Sequence, residues 1–126
     1  MKCSDLTNEM LLEIIDATKN SLLKLCIPDV DIKLEIKEDR LGKEYIKLLS
    51  STFNSVPVIY KSIRISGIGG LTPVPDHEGV YDLKINIEYT FKYFNNGENG
   101  VDIGTLHFRT FEKNGPTRVA FIGLII

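Results

Sequence analysis

The stretch VYDLKINIEYTFKYF, from Val80 to Phe94, decides the fold. Tyr81, Leu83, Ile85, Ile87, Tyr89, Phe91 and Tyr93 share one side of it. Asp82, Lys84, Asn86, Glu88, Thr90, Lys92 and Phe94 share the other. Alternation with a period of two, held over this length, is the mark of a β-strand with one buried and one wet face. The strand runs into NNGENG, residues 95–100, whose two Asn-Gly pairs are the strongest short hairpin signal. Val101 to Lys113 returns as a second strand. Asn114-Gly115 followed by Pro116 turns the chain again, and Thr117 to Ile126 closes it. These three strands read as an antiparallel meander.

Immediately before this unit, Val58 to Ser66 (VIYKSIRIS) reads as another strand, and residues 67–79 as a long loop. Gly67-Ile68-Gly69-Gly70 invites comparison with a phosphate loop. However, the following Leu71-Thr72-Pro73-Val74-Pro75 cannot begin the helix that such a loop presents to an anion. A flexible loop, or a lid over a ligand, accounts for the segment.

Near the start of the chain, Thr7 or Asp5 is placed to cap a helix. Leu11, Ile14, Ile15, Thr18, Leu22 and Leu25 recur at helical spacing, and Pro28 ends the run. From Asp29 to Lys37 the period changes to two. The charged side of this strand suits a sheet edge. Gly42 to Asn54 reads as a second helix, with Tyr45, Leu48, Leu49 and Phe53 as its buried stripe. The fold class is therefore α+β: one domain over residues 1–126, with N-terminal helices packed on an antiparallel β-meander sheet. A curved roll of the cystatin or nuclear-transport-factor-like kind has the same element order.

Composition narrows the function. The chain has 126 residues, 43 % of them hydrophobic and 25 % charged, enough for a core without staples. With 15 Lys and Arg against 17 Asp and Glu, the net charge is −2, which argues against a general DNA or RNA binder while allowing a local basic patch. No apolar run approaches the roughly 20 residues of a membrane span, and the start of the chain lacks a signal-peptide core. Cys3 and Cys26 lie far apart and form no CxxC pair, which points to a reducing, cytoplasmic setting.

The chemistry-bearing residues form few sets. Asp76-His77-Glu78 are adjacent, and adjacent side chains rarely converge on one ion, so a solvated turn explains them and no metal is expected. Asp29 and Asp31 read as a solvated edge. There is no G-x-S-x-G elbow and no cofactor fingerprint, so no catalytic set and no cofactor are assigned. What remains is the wet side of the sheet. His107, Arg109 and Phe111 share a face by alternation, and Phe94, Arg64 and Arg118 join them if the strands register on one side. Guanidinium forks grip phosphates and rings stack on bases, so these six residues are the candidate site for a nucleotide. The other reading is the ordinary wet face of an amphipathic sheet. Val119 to Ile126 is apolar on both sides. Either it is a central strand under the helices, or a second subunit covers it, making a dimer or an assembly of dimers.

With its length, helical opening and β-rich remainder ending in FRTFEKNGPTRVAFIGLII (residues 108–126), the chain resembles the phage anti-Thoeris protein family. That resemblance implies a small oligomeric sponge in the host cytoplasm. Such a sponge sequesters a cyclic ADP-ribose isomer without cleaving it and so blunts anti-phage signalling. Two other classes stay open. One is an inhibitor or immunity protein offering Asp29, Asp31, Glu35, Glu38 and Asp39 to a basic partner. The other is an enzyme on a curved roll, with His107 and a carboxylate such as Glu88 lining a pocket.

Overall fold

Hairpin after hairpin builds the sheet. A computed structural model describes residues 1–27, 30–50, 60–93 and 98–126. After a 3-10 turn at Cys3–Asp5 comes helix α1 (Asn8–Lys24). Six strands follow: β1 (Ile32–Glu38), β2 (Glu44–Ser50), β3 (Tyr60–Pro73), β4 (Val80–Tyr93), β5 (Asn99–Glu112) and β6 (Pro116–Ile125). Each pairs antiparallel with its chain neighbours, in the linear order β1-β2-β3-β4-β5-β6, so the sheet is an unclosed meander.

The α+β class and the meander agree with the sequence reading; the second helix does not. Residues 44–50 form β2, in which Ile46 and Leu48 are buried while Lys47 and Leu49 face the other way. The helical stripe of Tyr45, Leu48 and Leu49 is split between the two faces of the strand, whose core side is Ile46 and Leu48. The turn chemistry decides between helix and strand. The Asp39 carboxylate accepts hydrogen bonds from the backbone N–H groups of Leu41 and Lys43, at 2.8 and 2.9 Å. Gly42 supplies the positive φ of 77° that this turn needs. Phe53, assigned to the same helix, lies outside the described residues, as does the center of the NNGENG turn.

The glycine-rich segment is a second correction. Gly67, Gly69 and Gly70 sit within β3, which runs on to Pro73, and only Val74 to Gly79 turn. The glycines answer a packing demand. A Cβ on Gly67 would stand 2.8 Å from the Asn86 carbonyl oxygen and 3.1 Å from both Ile85 Cγ2 and Leu48 Cδ1. One on Gly69 would collide with the Lys84 carbonyl oxygen and lie 2.7 Å from Ile85 Cγ1. The fully buried Ile85 therefore lies across a trough on β3 that only glycine leaves open.

The remaining turns follow the sequence. Asn114 and Gly115 both take positive φ, 60° and 111°, as a tight hairpin loop requires. The Thr7 hydroxyl caps α1 by accepting from Met10 N–H at 3.3 Å. The helix stops at Lys24, ahead of Pro28. Cys26 takes a left-handed φ of 62°, and the Cys26 and Ile27 N–H groups donate to the Leu23 and Leu22 carbonyls. This is a Schellman cap, with buried Ile27 and Leu22 as its apolar clasp.

The core lies on one side of the sheet. Ile46, Leu48, Ile63, Ile65, Leu83, Ile85, Ile87, Leu106 and Phe108 form one cluster with Met10, Ile14 and Leu22 of α1. The helix touches both outer strands, β1 and β6. Buried Thr18 and Thr110 are satisfied by the carbonyls of Ile14 and Arg118. The glycine trough makes a testable claim. Gly69→Ala should cost about 1–3 kcal/mol of stability, as over-packing does. Gly70→Ala, whose Cβ would meet nothing nearer than 4.0 Å, should stay within about 0.5 kcal/mol of wild type. Urea denaturation of the two variants measures the difference.

Candidate functional site

Strand register fixes which candidate residues share a face. Buried Leu83, Leu106 and Phe108 point to the core, so their neighbours Asp82, His107 and Arg109 stand on the open side. Cross-strand pairing sets Arg109 opposite Asp82 and His107 opposite Lys84. On the next strand Arg118 pairs with Phe111. Four of the six candidates, His107, Arg109, Phe111 and Arg118, therefore gather at one end of the open face.

The other two do not join them. Arg64 is on the open face, but it pairs with Thr90, eight residues along β4 from Asp82 and therefore about 26 Å away. It lines a separate concavity of about 380 Å³ with Lys47, Leu49, Ser66, Glu88 and Thr90. Phe94 lies outside the described residues. Glu88, offered as a carboxylate partner for His107, belongs to the Arg64 concavity instead, because register pairs it with Ile103.

The gathered residues form a small network that sequence reasoning missed. His107 Nε2 lies 2.8 Å from Asp82 Oδ1, and Arg109 Nε donates to the same oxygen at 3.1 Å. The His107 hydrogen bond, with help from Arg109, holds the Asp82 carboxyl below its ordinary value, although partial burial opposes the shift. Asp82 engages the Nε edge of Arg109, so the rest of the planar fork is directed elsewhere. The Arg118 guanidinium lies 4.8 Å from the centroid of the Phe111 ring, a cation–π contact. A signal for Asp82 did exist: it lies on the wet face of β4, where any return strand must pair with it.

The remaining groups are simply placed. Asp76, His77 and Glu78 are exposed in the β3–β4 turn. Among the described residues, no group of three or more His, Cys, Asp or Glu is placed to hold a metal ion. Cys3 is buried, Cys26 is exposed, and both are free; burial pushes the Cys3 thiol up. No helix among the described residues is long and apolar enough to cross a membrane. No family model, curated protein or solved structure matches this chain.

The lowered Asp82 pKa sets a pH dependence. A carboxyl whose pKa is depressed on folding adds stability above its unfolded value, and that stability is lost as pH falls through the folded value. Asp82→Asn should therefore be less stable than wild type at pH 7 by about 0.2–1 kcal/mol, the range of exposed ion pairs. The gap should close toward pH 2. Paired urea titrations at pH 7, 4 and 2 test this.

Proposed function

We propose that the open face binds a nucleotide and retains it unchanged, with His107, Arg109, Phe111 and Arg118 as the contact group. The supporting observation is the convergence of these four side chains, from two adjacent strands, beside a single carboxylate. Arg109 offers the part of its fork that Asp82 does not engage to phosphate oxygens, while Phe111 offers a ring already able to hold a planar partner. The function this implies is sequestration of a cyclic ADP-ribose isomer against host signalling, as the anti-Thoeris resemblance suggests. No bond is made or broken, and no cofactor takes part.

Arg109→Ala should weaken nucleotide binding by about one to two orders of magnitude, the worth of one or two charge-assisted hydrogen bonds. Calorimetry with the cyclic ADP-ribose isomer measures it, and circular dichroism checks folding. Unchanged affinity would remove Arg109 from the site. Release of an intact nucleotide on heating separates retention from turnover.

Homo-oligomerisation belongs to the same proposal. The two-sided apolar strand is not a central one: β6 is a sheet edge, and Ile122 and Ile125 are 54 % and 61 % exposed. A second copy laid along this edge would cover them. Because Ile125 is exposed in the single chain, Ile125→Lys should leave the fold intact and shift the protein to monomer. Sedimentation velocity reads this directly, and a wild-type monomer at high concentration would remove the reading.

A further inference from the structure

Charge on this molecule is sorted by face. Among the described strand side chains directed to the open side are seven Lys or Arg: Lys33, Lys37, Lys47, Arg64, Lys84, Arg109 and Arg118. Only three acids accompany them: Glu35, Asp82 and Glu88. Two of these acids are held by cations, Asp82 by Arg109 and Glu35 by Lys37 at 3.4 Å. A chain with a net charge of −2 thus carries one distinctly cationic surface, and its acidic excess lies elsewhere.

The cations are also ordered. Register places Arg118 on β6 beside Phe111, then Arg109 and His107 along β5, with Lys84 opposite His107 on β4. Beyond Ile68 of β3, Lys47 follows on β2, and Lys33 on β1 lies one step further along. With strands about 4.8 Å apart and same-face residues about 6.6 Å apart, this diagonal runs roughly 35 Å; its five Lys and Arg stand about 8 Å apart, with one wider step of about 12 Å across β3. A stretched sugar–phosphate chain repeats its charge over a similar distance. The half-buried rings of Tyr45 and Phe111, and the Ile68 side chain between the two halves, offer base-sized contacts along the way.

From this we infer that the open face is a track for an extended single-stranded nucleic acid, running from Arg118 on β6 to Lys33 on β1. The inference revises what net charge alone suggests, because net charge averages over faces that here differ in sign. It builds on the nucleotide reading, sharing Arg118, Phe111, Arg109 and His107 with it, and adds Lys84, Lys47 and Lys33 on β4, β2 and β1, where only a longer strand reaches. A strand is favoured over a folded acidic protein because five of the seven cations lie along one line rather than around an apolar center.

Fluorescence anisotropy with labelled oligouridylates of increasing length, against uridine monophosphate, tests the track. Affinity should climb up to about six nucleotides and then level off. Its logarithm should fall with log salt at a slope near −4, about 0.7 per phosphate contacted. The double variant Lys33→Gln, Lys47→Gln should lose at least tenfold in hexamer binding and keep the wild-type affinity for the monophosphate, with circular dichroism unchanged. A hexamer bound no more tightly than the monophosphate would overturn the track. So would equal binding of poly-glutamate of matched charge, which would mark an acidic-protein surface, or of duplex. Should the double variant misfold, the length and salt series on the wild-type protein decide alone.

Discussion

The seat of Ile85 on the glycines of β3 holds the middle of this structure together. Neighbouring strands stand at a fixed distance, set by their hydrogen bonds, and an isoleucine on β4 would normally meet the side chains of β3 beside it. With Gly67 and Gly69 there, Ile85 lies over bare backbone, within reach of Leu48 from the strand beyond. The core is thereby drawn tight on one side of the sheet. On the other side the same strands present their alternate residues unobstructed. The register that buries Leu83, Leu106 and Phe108 is the register that brings Asp82, His107 and Arg109 together.

Much of this was legible in the sequence. The alternation from Val80 to Tyr93, the Asn-Gly turn at 114–115 and the amphipathic opening helix each have one structural solution, and the structure adopts it. Two segments did not. Over residues 44–50 apolar residues occur at both helical and alternating spacings, and the deciding signal was the Asp-x-x-Gly turn at residues 39–42, which makes a hairpin of the flanking runs. The Gly67–Gly70 segment reads as a loop because glycine is rare in strands. Its true reason lies in a partner strand, Ile85, that composition does not reveal.

The candidate site was half legible for a similar reason. Alternation tells which residues share a face of one strand, and it placed His107, Arg109 and Phe111 correctly. It does not tell how far along a neighbouring strand another residue falls. Arg64 shares the face, yet register carries it to the far end. Asp82 was visible as a wet residue, but its meeting with Arg109 depends on a pairing that begins at a turn many residues away.

The two borders of the sheet differ in kind. Along β1, Lys33, Glu35 and Lys37 line the rim, while β6 carries no charge from Val119 to Ile125. A fibril needs both rims of each unit to accept a neighbour. In the proposed pairing through β6, a chain with one inviting rim and one guarded rim joins a single twin and then has nothing further to offer, so such an association would carry its own terminator.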